Sequence, residues 1–156
     1  MQLFMERRIN TTFPDIDTLQ TLSGSPFYFN KINKPTMVYI GFDGCAPCRF
    51  ALPLFIKTAN EIKYKDYNFV YLSYDNAATI YDELKQQKAQ DLKAIKIVTI
   101  PHDLIDDDQL VIGYPTVYYV NAERKIKYVT MGGTTEGADK LRDEWHAKLD
   151  SLNTIK

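Results

Sequence analysis

Cysteine is nearly absent from this chain: 156 residues carry two, Cys45 and Cys48. So few exclude a disulfide framework, and stability falls to a hydrophobic core, which a chain of this length can bury. Histidine is equally scarce, at two. Neither sign of charge dominates, since nineteen Lys and Arg oppose twenty Asp and Glu. A nucleic-acid reader normally carries a clustered basic field, so no nucleic-acid partner is expected. No apolar run approaches the ~18 residues of a spanning helix, so no stable membrane insertion is expected. The N-terminal residues lack the apolar stretch and small-residue cleavage site of a secretory signal. The expected location is cytoplasmic, or periplasmic or otherwise extracytoplasmic if a leader has been removed. Internal repeats, low-complexity tracts and Gly/Ser linkers are also missing. That leaves a single domain over 1–156, with a core at about 35–152 and an N-terminal extension at 1–34.

What is present is 45% hydrophobic and 25% charged, the make-up of a globular chain. Ile16, Leu19 and Leu22 after Pro14-Asp15 suggest a short helix with one apolar stripe, broken by Ser23-Gly24-Ser25-Pro26. The run Met37-Val38-Tyr39-Ile40-Gly41-Phe42 reads as a strand buried on both faces. Asp43-Gly44 is a turn signal, and Pro47 through Ile62 reads as a helix with Pro47 in its first turn. Pro53 lies inside that pattern and is expected to kink it. Asn68-Phe69-Val70-Tyr71-Leu72-Ser73 is a second strand, and Asp75 or Asn76 caps a helix over roughly Ala77 to Leu92. After a long joint, Thr116–Val120 and Ile126–Thr130 flank a short polar segment and predict an antiparallel hairpin, ended by Gly132-Gly133. Tyr118 and Tyr119 point to alternate faces, which suggests one buried ring and one exposed. Leu141, Trp145, Leu149 and Leu152 share one face of a closing helix, with Trp145 as a core anchor. The order is β-α-β-α, joint, β-β-α. It predicts an α/β fold whose mostly parallel sheet has an antiparallel edge and helices on both faces.

The strongest chemical signal is Cys45-Ala46-Pro47-Cys48, which follows a buried strand and opens a helix. Unpaired backbone N–H groups and the positive end of the helix dipole converge on the first cysteine of such a motif. A thiolate there is stabilised, and its pKa can fall from ~8.5 into a range of roughly 3.5–7.5. Cys45 is then the exposed nucleophile and Cys48, one turn in, the buried resolving thiol. Other uses of the pair compete. Structural zinc needs four ligands, and His102 and His146 are too far apart in sequence for a compact module. Haem attachment needs His after the second cysteine, where Arg49 stands. An iron–sulfur cluster wants four cysteines. A structural disulfide across so small a loop constrains little of the unfolded chain. Redox chemistry outweighs these, and no cofactor and no metal is expected.

On this motif the chain resembles the thioredoxin-like superfamily, across roughly Pro35 to Leu152. A second landmark is Gly113-Tyr114-Pro115-Thr116, directly before the hairpin, which looks like the cis-proline element of that superfamily. The resemblance implies a three-layer α/β/α sandwich with a mixed central sheet and an antiparallel C-terminal hairpin. It implies that Pro115 closes a substrate groove with Gly113 and Gly44 beside it. The Tyr114 backbone then pairs with an extended substrate segment. It further implies a protein or peptide disulfide as substrate, an upstream dithiol as electron donor, and a monomer. Cys48-Arg49-Phe50-Ala51-Leu52-Pro53 looks like the C-R-x-E-x-P segment of TlpA-like thioredoxins. The stretch from Tyr39 to Pro53 is also similar to bacterial thioredoxin-like proteins of the bacteriocin-accessory type.

The departures from that pattern are specific. Gly44 stands where thioredoxins usually carry Trp, Tyr39 where they commonly bury an Asp, and Ala51 where TlpA-like proteins carry Glu. No general base for Cys48 is identifiable, since Asp43 is near in sequence but expected to be exposed. Pro before the second cysteine, with no His between the two, resembles the reducing members. The expected function is therefore a thiol–disulfide oxidoreductase acting as a reductant. The alternative is an accessory or partner-binding module with incidental thiol chemistry. Arg49 reads equally as support for a thiolate or as a solvated charge, and Asp106-Asp107-Asp108 as a solvated loop rather than a calcium site.

Overall fold

A computed structural model describes residues 2–16, 18–103, 110–111, 113–132 and 136–153. Asp106-Asp107-Asp108 and Gly133 lie outside the described residues. Among the described residues, six strands form one sheet in the order β1-β4-β3-β2-β5-β6. They are β1 (Gln20–Thr21), β2 (Thr36–Ile40), β3 (Asn68–Ser73), β4 (Lys96–Thr99), β5 (Thr116–Val120) and β6 (Ile126–Met131). Helices among the described residues include α1 (Gln2–Arg8), α2 (Ala46–Ala59), α3 (Ala77–Leu84), α4 (Ala89–Leu92) and, near the C-terminus, α5 (Ala138–Ser151). Only β2–β3 and β3–β4 are parallel, while β1–β4, β2–β5 and β5–β6 are antiparallel. The sheet is thus mixed rather than mostly parallel, because β1 adds an antiparallel pair at the edge opposite the hairpin.

The central strands alternate, and both of their faces are covered. Met37, Tyr39, Phe69, Tyr71, Val117 and Tyr119 point to one core, built with α2, α3 and α5. From α2 come Leu52, Phe55 and Ile56, from α3 Ile80 and Leu84, from α5 Leu141, Trp145 and Leu149. Val38, Ile40, Val70, Leu72, Tyr118 and Val120 point to a second core, covered by Phe13, Ile16, Leu19 and Phe29. Tyr118 and Tyr119 therefore do lie on opposite faces, but both rings are fully buried. A sheet clad on both sides leaves no exposed face for either.

Three expectations need correction. Residues 14–22 hold no helix among the described ones; the segment runs irregularly into β1. Ile16 and Leu19 enter the second core whereas Leu22 packs on the first, so their spacing never formed one stripe. The helix expected over Ala77 to Leu92 is two, α3 and α4, separated at Lys85–Lys88. The long joint contains β4, and Val98 on it and Ile100 just after it fill the second core. Other boundaries hold closely. Asn76 caps α3 by accepting the Thr79 N–H at 2.9 Å, and α2 runs through Pro53 as one helix. Ile126 and Val129 both face the second core despite their three-residue spacing, because a bulge shifts the register there.

The first 34 residues also close a sheet edge. The Asn10 and Phe13 N–H groups donate to the Ile126 and Arg124 carbonyls at 2.6 and 2.8 Å, and Ile126 N–H returns to Thr11 at 2.8 Å. The backbone of β6 thereby gains partners that an edge strand otherwise lacks.

Candidate active site

Everything chemical gathers where β2 ends and α2 begins. Gly41 follows β2, and its lack of a side chain is required by close packing. A Cβ there would lie 3.2 Å from Cys48 Sγ and 3.0 Å from a ring carbon of Tyr39. The chain then turns through Asp43, whose N–H is held by Asp75 Oδ2 at 2.7 Å. Gly44 takes φ +88°, a conformation that other L-residues rarely adopt. That backbone requirement fits a glycine at this position.

Cys45 is the N-cap of α2, and its Sγ accepts the Cys48 N–H at 3.2 Å. The Cys45 carbonyl receives the Arg49 N–H at 3.0 Å, the first bond of the helix. Pro47 sits in the first turn, where no N–H is needed. Cys45 and Cys48 are joined as a disulfide, with Cα atoms 5.1 Å apart. Cys45 is less exposed than expected, at 7% against 1% for Cys48. In the oxidised pair its sulfur is bonded to Cys48 Sγ and accepts the helix amide, and Cys45 is the less deeply buried of the two residues.

The Tyr114–Pro115 peptide is cis. Ile40 pairs with Thr116, so Pro115 lies just beyond β5 at the same sheet end from which the motif departs. Phe42 links the two loops, its ring edge-on to Tyr114 at 4.7 Å and stacked on Tyr74 at 5.4 Å. Tyr74 in turn meets His102 edge-on at 4.5 Å. The Gly132 N–H donates to the Pro115 carbonyl at 2.7 Å, and Thr116 Oγ1 donates to Gly113. A side chain at Gly113 would collide with Met131 Sδ. Gly113, Tyr114 and Pro115 thus share one end of the sheet with Gly44, Cys45 and Cys48. Sequence reasoning missed the contribution of Tyr74 and His102. The available signal was that Tyr74 directly follows β3, whose end is level with that of β2.

Behind the sulfurs the site is sealed. The Tyr39 hydroxyl donates to the Cys48 carbonyl at 3.1 Å. Burial, with some help from the Glu83 charge, holds its phenol protonated far above the usual range. Tyr39 is therefore a donor and no substitute for a buried carboxylate base. Ala51, at the position of the TlpA-like Glu, is packed into the core. Asp43 is partly exposed and 4.0 Å from Arg49, itself mostly exposed, so Arg49 is a solvated charge with a loose partner. A carboxyl that sequence reasoning did not single out, Glu83 of α3, accepts the Tyr71 hydroxyl at 2.6 Å. Burial raises its pKa; the Tyr71 bond and Arg49 oppose that rise, and Asp43 and Asp75 add to it.

Among the described residues no group of three or more His, Cys, Asp or Glu could hold a metal ion. His146 lies 2.7 Å from Glu61, away from the motif. No helix among the described residues is long and apolar enough to cross a membrane.

No protein-family model and no curated protein matches the chain. Solved structures do match. The thioredoxin domain of a thiol-disulfide oxidoreductase from Bacteroides vulgatus superposes with a TM-score of 0.70 at 23% identity, covering 90% of this chain and 97% of that one. A thiol:disulfide interchange protein of the thioredoxin family from Chlorobium tepidum gives 0.71 at 17% identity, covering 92% and 96%. The exposed lipoprotein thioredoxin Etrx1 of Streptococcus pneumoniae gives 0.68 at 17%, covering 88% and 99%. At these identities the likeness is one of fold. With its mixed sheet, its disulfide at the start of α2 and its cis-proline before β5, the chain is a thioredoxin-like fold.

Proposed function

We propose that this chain is a thiol–disulfide oxidoreductase that reduces protein or peptide disulfides. The observation that carries the reading is Cys45 Sγ as the cap of α2, accepting the Cys48 N–H at 3.2 Å. When the pair is reduced, the same amide and the helix dipole favour an anion on Cys45. The Cys45 thiolate attacks a substrate disulfide, forming a mixed disulfide and expelling one substrate thiolate. Cys48 then attacks Cys45, releasing the second substrate thiolate and leaving the Cys45–Cys48 disulfide. An upstream dithiol returns the pair to its reduced form by the reverse exchanges. Pro115 and the Tyr114 backbone line the groove for an extended substrate, with Gly44 and Gly113 at its margins. The neighbours in Bacteroides vulgatus and Chlorobium tepidum, named as thiol-disulfide exchangers, support this assignment. Pro47 before the second cysteine supports the reducing direction.

The test is trapping. A Cys48→Ser variant should accumulate mixed disulfides with client proteins, and Cys45→Ser should not. Wild type should reduce insulin disulfides. If Cys48→Ser captures nothing and wild type leaves insulin intact, the reading fails. A partner-binding module would then be favoured, with a Cys45 thiol titrating at an ordinary value.

A further inference from the structure

Behind the sulfur pair lies a cluster of ionisable groups that the exchange itself does not use. Tyr39 on β2 and Tyr71 on β3 are register partners, with ring centroids 5.7 Å apart. Tyr39 bonds to the Cys48 carbonyl and Tyr71 to Glu83 Oε1. The second carboxylate oxygen, Glu83 Oε2, is buried with no hydrogen-bond partner. A buried, unpaired carboxylate oxygen is costly when ionised, so the arrangement calls for a reason.

The titratable and charged groups that act on Glu83 come from several elements. They are Tyr71 from β3, Tyr39 from β2, Asp43 from the motif turn, Arg49 from α2 and Asp75 from the β3–α3 connection. On its own helix, Asp82 is turned outward to Lys85 at 2.9 Å. The connection to the pair runs through side chains in contact: Glu83 accepts from Tyr71, the Tyr71 ring meets that of Tyr39, and Tyr39 donates to the Cys48 carbonyl. Burial holds the Tyr39 and Tyr71 phenols protonated, so of these three side chains the carboxyl is the one able to change charge.

We propose that Glu83 takes up a proton when the Cys45–Cys48 bond is reduced, coupling the redox state of the pair to pH. The proposal rests on the exchange reading above. Reduction by a dithiol delivers two electrons and breaks the S–S bond. One proton goes to the Cys48 sulfur, giving a thiol, while Cys45 remains a thiolate at the helix start. The second proton goes from solvent to the Glu83 carboxylate, so the site gains no net charge. The donor dithiol, in becoming a disulfide, releases two protons. The driving force is the new sulfur anion, which raises the proton affinity of a carboxyl already poorly solvated. Glu83 is a positioning residue here, since it acts on the sulfurs through the field rather than by contact.

The experiment is a redox titration of the full chain against glutathione between about pH 5 and 9, with thiols read by alkylation and mass. Wild type, Glu83→Gln and Tyr71→Phe are compared. At the alkaline end Glu83 is ionised in both redox states and opposes the thiolate. Wild type should there be about tenfold harder to reduce than Glu83→Gln, equivalent to about 30 mV for a two-electron couple. Towards the acid end the carboxyl takes up its proton in both redox states, so the two curves should converge. Tyr71→Phe removes a hydroxyl that favours ionised Glu83, so its curve should bend at higher pH than wild type. Curves that coincide, or that stay a constant distance apart, overturn the proposal. If Glu83→Gln does not fold, an unmoved bend in Tyr71→Phe overturns it alone. A wild type with no reversible couple overturns the exchange reading, and this inference with it.

Discussion

The two faces of the sheet are equally dry and differently made. One is covered by α2, α3 and α5, whose apolar residues recur with helical spacing. The other is covered largely by an irregular strap, with Phe13, Ile16, Leu19 and Phe29 supplied from chain before β2. The strap packs by aromatic contact, Phe13 lying 4.5 Å from Phe29 and edge-on to Tyr118 at 5.2 Å. The helical face does the same around Tyr39, with Phe55 at 5.0 Å and Trp145 at 6.5 Å. A sheet thus needs apolar cover on each side, and regular structure is only one way to deliver it. The disulfide stands where the two covers meet. Tyr39 reaches Cys48 from the helical face, while Tyr74 and Tyr114 pack against the strap-covered core.

The sharpest way to break this comparison is to empty both cores in turn. Phe55→Ala and Phe13→Ala each remove a buried ring, and each should cost about 3–5 kcal/mol in urea unfolding. Equality is the point. Were the strap a loosely attached appendage, Phe13→Ala would cost far less than Phe55→Ala and would leave the unfolding midpoint nearly unchanged.

The same contrast explains what could be read from sequence. β2, β3, the β5–β6 hairpin, α2 and α5 were legible because each carries its own period or its own turn. The motif itself was legible because Cys45, Pro47 and Cys48 fit the chemistry of a helix start. The strap carried no period: Ile16, Leu19 and Leu22 match a helix by spacing, yet they serve two different cores. β4 is short and one of its faces is only partly buried, so its alternation was faint. One of Tyr118 and Tyr119 was expected to be exposed because nothing local announces the distant residues that cover both faces, Leu141 and Trp145 on one and Phe13 and Phe29 on the other. Glu83 gave no signal at all, since its partner Tyr71 is a neighbour in space, brought there by the packing of α3 on the sheet.

A smaller effect sharpens the comparison at the level of single hydroxyls. Tyr39 and Tyr118 lie on opposite faces and each donates to a backbone carbonyl, Cys48 at 3.1 Å and Leu110 at 2.6 Å. Burial pushes the Tyr118 phenol up to about 12, so it too is a donor at any physiological pH. Tyr39→Phe and Tyr118→Phe should each cost about 1 kcal/mol of stability. They should part in chemistry: only Tyr39→Phe should alter the rate at which Cys48 resolves a mixed disulfide, followed by quenched alkylation. Equal rates in the two variants would place the Tyr39 bond outside the reaction.

The last effect is a tilt of the stability curve rather than an offset. The Glu83 carboxyl titrates above its unfolded value, chiefly because burial penalises its charge. The folded state therefore binds that proton more tightly than the unfolded chain. This contribution favours folding below the unfolded pKa of about 4.3 and fades as pH rises through the folded pKa. Glu83→Gln removes the fading term, so its stability relative to wild type should increase between about pH 4 and neutrality, measured by urea unfolding across that range. The strap-covered face offers the control. Asp15, which reaches Arg124 at 3.2 Å on that side, has a largely exposed carboxylate. Asp15→Asn should accordingly cost little stability at neutral pH, because water screens an exposed ion pair.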